Sequence, residues 1–167
     1  MGASPSAKRS MMQATLLAVW LSSVGADSDH WLVDATVPEL PLTTLDGAPS
    51  PAPWTGRDTV VVLWAGWCGP CVAELPVLAE AMKRTTAAQR PVVLLSIDDQ
   101  PKVAKRALSR AVRKPPAWTS LWGGPGAGGQ LGVRTVPTAF VVGADGKIDS
   151  VWTGHLEPAT WAALLTP

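Results

Sequence analysis

The 167-residue chain is short of most features that would declare a function: it has two cysteines, two histidines and a formal net charge of +1 from 14 basic and 13 acidic side chains. With charge so balanced and no basic run or stripe, there is no electrostatic footprint for nucleic acid, which is not expected as a partner. Two cysteines are too few to staple a small secreted scaffold. Only His30 and His155 are present to join them, so a closed four-ligand zinc site is hard to assemble, and no metal or other cofactor is expected. The glycine-rich run Gly123 to Gly129 lacks the lysine and hydroxyl that complete a phosphate loop. No internal repeat is visible, and the longest uncharged apolar stretch, Met11 to Val24, falls short of the about 20 residues that a membrane span needs. An apolar content of 47% excludes a disordered chain. The length suits one domain with a full core and an N-terminal appendage.

That appendage, residues 1–26, reads as an export signal. Lys8 and Arg9 precede the apolar stretch, and Val24-Gly25-Ala26 offers small residues for cleavage. An uncleaved anchor over residues 10–26 and a buried core helix are the alternatives. No cysteine follows to carry a lipid. Export places the protein in the periplasm or another extracytoplasmic space, where disulfide chemistry is routine. Residues 27–37 read as a linker and residues 38–167 as the folded domain.

Leu40, Leu42 and Leu45 before Asp46-Gly47 suggest a small strand or hairpin with a tight turn, and Pro49, Pro51 and Pro53 an extended surface loop to Trp54 and Gly56. Thr59 to Trp64 is almost continuously apolar and β-branched, the pattern of a central strand covered on both faces. From Gly69, Val72, Leu75, Leu78, Ala79 and Met82 recur at helical spacing, and Pro76 predicts a kink rather than a stop. Pro91 to Ile97 reads as a second buried strand, and Asp98-Asp99 with Pro101 as the start of a helix to about Arg113. A short strand is expected at Trp118 to Trp122, then a flexible glycine-rich loop and a helical turn around Gln130 and Leu131. Thr138 to Val142 and Lys147 to Thr153 form an antiparallel pair around Asp145-Gly146, and Glu157 to Leu165 is a closing helix. The sum is an α/β domain, a mixed central sheet with helices on both faces.

The chemistry concentrates at Cys68 and Cys71, which lie three residues apart where the first long strand gives way to a helix. Disulfide exchange needs one stabilised thiolate and a second thiol within reach. Cys68 sits at the helix N-terminus, where free N–H groups favour negative charge, and Cys71 lies one turn deeper on nearly the same face. Pro70 occupies the first turn, where a missing N–H costs nothing. In this reading Cys68 attacks a disulfide and Cys71 resolves the mixed disulfide. A static disulfide and half of a metal site remain as alternatives at this point.

Ala65-Gly66-Trp67-Cys68-Gly69-Pro70-Cys71, Pro76 and Val136-Pro137-Thr138 together resemble the thioredoxin fold. Leu42 to Gly47, Cys71-Val72-Ala73-Glu74-Leu75-Pro76 and Val141 to Ile148 more narrowly resemble the exported TlpA/ResA-like branch. This resemblance covers about residues 36–165. It implies a redox-active Cys68/Cys71 disulfide and a cis Pro137 facing that pair. The backbone at Val136 would pair with a client chain by strand addition, with Trp67, Gly69 and Pro70 completing the client surface. Local sequence alone reads Pro137 as an ordinary strand-initiating proline and Trp67 as packing. Glu74 reads locally as an acid near a helix start, whereas its counterpart in the branch tunes the site, so Glu74 becomes the candidate proton acceptor for Cys71. One departure bears on this: the buried acid of ordinary thioredoxins, six residues before the first cysteine, falls on Val62. Trp64, Trp118, Trp152 and Trp161 read as core or edge packing, and His155 as a solvated loop residue.

The function implied is a monomeric, exported protein-disulfide reductase acting on client proteins that carry disulfides or dithiols, recharged by a membrane dithiol donor. Gly69-Pro70 resembles the dipeptide of reducing thioredoxins. Some members of the branch serve cytochrome c maturation, but Thr138 after Pro137 and a missing acidic loop signature depart from that subgroup. A disulfide-forming oxidase, a non-catalytic peptide-binding module and a peroxidase of the same fold are the competing readings.

Overall fold

The computed structural model describes residues 30–85 and 88–167. The expected export segment, residues 1–26, lies outside the described residues. Among those described, no helix is long and apolar enough to cross a membrane. The elements are β1 (Thr43–Thr44), β2 (Thr59–Trp64), α1 (Gly69–Arg84), β3 (Val92–Ser96), α2 (Pro101–Ala111), β4 (Thr119–Trp122), α3 (Ala127–Gln130), β5 (Thr138–Val142), β6 (Ile148–Thr153) and α4 (Pro158–Leu165).

They build one six-stranded sheet in the order β1-β4-β3-β2-β5-β6. The three strands β2, β3 and β4 run parallel, while β5 is antiparallel to β2 and β6 to β5. Every residue of β2, β3 and β5 is buried. This is why their sequences are unbroken apolar runs rather than alternations. The pleat still divides them: Val60, Val62 and Trp64 face a core shared with Leu75, Leu78, Trp161 and Leu165, while Val61 and Leu63 face one shared with Leu42, Leu121 and Phe140. Helices α1, α2 and α4 contribute to the first core, and the second is closed by α3 and the segments before β2.

Three local expectations are corrected. Residues 30–37, read as linker, lie along the sheet: Leu32 is buried in the second core, Asp34 N–H donates to the Ile148 carbonyl at 2.9 Å and Thr36 bridges to Lys147. The proline-rich loop is not wholly superficial, because Trp54 turns inward to the same core, where a large apolar ring loses its water. The glycine run is not all loop either. Its Ala127 and Gly128 begin α3 and are buried, with Gly123 so close to Ala127 that an added Cβ would stand 2.8 Å from the alanine methyl.

Candidate active site

Strand β2 ends at Trp64, and the chain turns through Ala65, Gly66 and Trp67 before α1 begins. That turn is pinned from a distance. The Gly66 N–H donates to both carboxylate oxygens of Asp98, at 3.0 and 2.8 Å, and the Ser96 hydroxyl donates to one of them at 2.8 Å. Asp98 is fully buried, and its own carbonyl accepts from the Trp122 indole at 2.7 Å. Gly66 is required here by close approach. A Cβ on it would stand 3.0 Å from the Ala107 methyl and 3.2 Å from the Val103 carbonyl of α2.

Cys68 is the N-cap of α1, in extended backbone geometry. Its Sγ accepts from the Cys71 N–H at 3.2 Å, so a backbone donor that a helix N-terminus would otherwise leave free points at the sulfur. Pro70 sits in the first turn, where it sacrifices no hydrogen bond. The helix runs on through Pro76 to Arg84, with Lys83 and Arg84 at the negative end of its dipole.

Cys68 and Cys71 are joined as a disulfide with their Cα atoms 5.2 Å apart. The pair is unequal. Cys68 is 7% exposed and edged by the exposed Trp67, Gly69 and Pro70, whereas Cys71 is 2% exposed and faces the core. Across from Cys68 the Val136–Pro137 peptide bond is cis, and the Val136 carbonyl oxygen lies 3.7 Å from the Cys68 sulfur. In the disulfide that sulfur has no proton to give, so this is a contact and not a hydrogen bond. Pro137 is held in turn, its carbonyl accepting from Gly154 N–H at 2.9 Å. A groove of about 330 Å³ opens beside the pair, lined by Trp67, Val133, Arg134, Thr135 and Val136 with Leu63 and Ile97 at its base.

Behind Cys71 is an internal cavity of about 10 Å³, bounded by Val62, Trp64, Cys71, Glu74, Pro137 and Trp161 among others. A space of that size holds about one water molecule. Glu74, 3% exposed, borders this cavity, and its Oε1 accepts from the Leu156 N–H at 2.5 Å. Burial pushes the carboxyl upward from its ordinary range. The Leu156 hydrogen bond, the His155 charge and the Trp161 indole each pull partly back. The Trp161 Nε1 faces the carboxyl without a formed hydrogen bond, and the Trp64 Nε1 is likewise unpaired.

The structure therefore brings Trp67, Cys68, Gly69, Pro70, Cys71, Glu74, Val136 and Pro137 to one place. Two neighbours were not anticipated. Asp98 read as no more than the approach to α2, and its position directly after a buried strand was the available signal. His155 is solvated as expected, but its Nδ1 lies 3.6 Å from Glu74 Oε1. No local pattern marks that approach. Among the described residues no group of acidic, histidine or cysteine side chains is arranged to hold a metal.

Residues 32–161 match the Redoxin family. The chain is 30% identical over 141 residues to the thiol:disulfide interchange protein DsbE of Vibrio cholerae, covering 81% of this chain and 73% of that one. It is 24% identical over 124 residues to the thiol-disulfide oxidoreductase ResA of Bacillus anthracis, covering 74% and 70% of the two chains. In fold it resembles a secreted Mycobacterium tuberculosis disulfide oxidoreductase homologous to E. coli DsbE, with a TM-score of 0.60 and 24% identity, covering 73% of this chain and 90% of the other.

Proposed function

The chain belongs to the Redoxin family and is a thiol-disulfide oxidoreductase, and we propose that it is exported and reduces disulfides in other exported proteins through Cys68 and Cys71. The inequality of the two sulfurs carries this reading. One is capped by a backbone donor at the edge of a groove, and the other is enclosed beside a carboxyl. The reducing direction is supported by Gly69-Pro70, and export by residues 1–26 and by a solved relative described as secreted.

In the forward reaction the Cys68 thiolate attacks one sulfur of the client disulfide, and the other client sulfur leaves as a thiolate that solvent protonates. The Cys71 thiol gives its proton to Glu74. The Cys71 sulfur then attacks Cys68 Sγ, expelling the second client sulfur and closing the Cys68–Cys71 disulfide. Two electrons have passed to the client, and a membrane dithiol donor returns them. The client strand lies along the Val136 backbone, with an apolar side chain between Trp67 and Val133.

Redox titration of the pair tests the direction. A potential near those of reducing thioredoxins is expected, and one near those of dedicated disulfide donors would assign the oxidase activity instead. Cys71→Ser in an exporting cell is expected to accumulate mixed disulfides through Cys68, and the trapped clients, haem-binding apoproteins or others, are then identified directly. A variant that traps nothing would leave only a peptide-binding module.

A further inference from the structure

We propose that His155 is the station through which the proton taken up by Glu74 reaches solvent. The proposal rests on the reading of Glu74 as the acceptor for Cys71. A buried acceptor that receives a proton in every turnover must also release it, and Glu74 is closed in on almost every side. Val62 and Trp64 of β2, Leu75 and Leu78 of α1, Pro137 before β5 and Trp161 of α4 line the cavity it borders, and none exchanges a proton near neutrality. The Leu156 amide is a fixed donor. Among the described residues the ionisable groups that face Glu74 are Cys71, one helical turn back, and His155, on the loop between β6 and α4.

His155 spans the gap between this enclosure and water. Its Nδ1 is 3.6 Å from Glu74 Oε1, its side chain is 56% exposed, and its Nε2 lies 3.9 Å from Glu157 Oε1 on the solvent side. The inner separation is an ion-pair distance and not yet a hydrogen bond. A modest swing of a half-exposed ring closes it, while Glu74 is held in place by Leu156. Imidazole suits the task because it accepts at one nitrogen and releases from the other. The balance is simple. The Cys71 proton goes to Glu74 and then to His155 Nδ1, the Nε2 proton goes to water, and Cys71 is left as the attacking thiolate.

The reduced protein reacted with the aromatic disulfide dithiobis(nitrobenzoate) separates the steps. The first coloured thiolate is released by Cys68 and the second by Cys71. In His155→Ala the second release is expected to slow about tenfold near neutral pH, less than the roughly hundredfold or more of a direct general base because His155 acts one step removed through Glu74, with the first release unaffected. Added imidazole should restore the rate. An unchanged second phase in His155→Ala would overturn the relay, and so would a slowed one that imidazole does not rescue. Glu74→Gln keeps these outcomes apart. If it slows the second release while His155→Ala does not, Glu74 is the acceptor without His155; if neither slows it, the assignment of Glu74 fails as well.

Discussion

Removing the carboxylate of Asp98 is expected to destabilise the fold by about 3–4 kcal/mol. Asp98 is fully buried and accepts three hydrogen bonds, two from the Gly66 N–H and one from the Ser96 hydroxyl. In Asp98→Ala both donors lose their acceptor. A buried donor left unmet costs about 1–3 kcal/mol. Ser96 is fully buried and belongs in the middle of that range, whereas Gly66 is half-buried and partly open to water, so it belongs at the bottom. The void left by the missing carboxylate adds roughly 1 kcal/mol. Asp98→Asn is the informative partner. Its amide oxygen can face Gly66 while its amide group donates to the Ser96 oxygen, which already accepts from the Asp98 N–H at 3.1 Å and has a second lone pair free. That arrangement still leaves the buried Ser96 O–H without an acceptor, but Gly66 keeps its own and no void opens, so the expected cost is about 2 kcal/mol. Urea unfolding of the oxidised protein, followed by tryptophan fluorescence, gives the differences from the shift in midpoint at constant slope. A loss below about 1 kcal/mol in Asp98→Ala, or equal losses in the two variants, would refute the idea that these hydrogen bonds, rather than the bulk of the side chain, hold the turn before Cys68.

Two further outcomes follow from the same structure. The Glu74 carboxyl is raised above 4.5 in the fold, so the native state binds its proton more tightly than the unfolded chain; the stabilisation is complete below that value and is lost as pH rises through the native pKa. Wild type should therefore lose stability relative to Glu74→Gln as pH is raised from about 4 to 8, and a difference that is flat or moves the other way in paired urea titrations would remove burial as the dominant influence on Glu74. Gly66→Ala places a methyl group 3.0 Å from Ala107 Cβ and 3.2 Å from the backbone oxygen of Val103. A cost of about 1–3 kcal/mol is expected from the overpacking and should appear as a lower melting temperature.

What the sequence made legible was local. The β-branched run of β2, the cysteine pair at the start of α1 and the turn at Asp145-Gly146 are written in neighbouring residues, where period and turn chemistry act directly. What it hid depends on docking. Gly66 meets Asp98 across 32 residues, and Leu156 meets Glu74 across 82. Whether such groups touch is decided by how α1, the sheet and the β6–α4 loop pack, and no periodicity encodes that. Trp54 and Leu32 escaped notice for the same reason: each sits in an irregular segment, and only the sheet beneath shows that an apolar side chain there is core. His155 is the sharpest case, since its exposure was anticipated and its nearness to a buried carboxyl was not.

The acid that a thioredoxin-like pattern places six residues before the first cysteine is replaced here by Val62, which walls the cavity behind Cys71 without offering a proton site. An acid on β2 would rise from the floor of the sheet. Glu74 instead enters from α1, the helix that also carries both cysteines, and its oxygen is fixed by the loop that leads into α4. Shifting the carboxyl from strand to helix therefore brings it to the loop that carries a solvated histidine. Enclosure raises the Glu74 carboxyl above its ordinary value, the direction that suits the proposed proton exchange with Cys71. In the proposed mechanism the enclosed Cys71 sulfur is deprotonated when this neighbour accepts. Cys68, capped by a backbone N–H at the groove edge, needs no such help. On the proposed reading, the division between an outer sulfur held ready by the helix terminus and an inner one released by a carboxyl makes attack and resolution successive steps rather than competing ones.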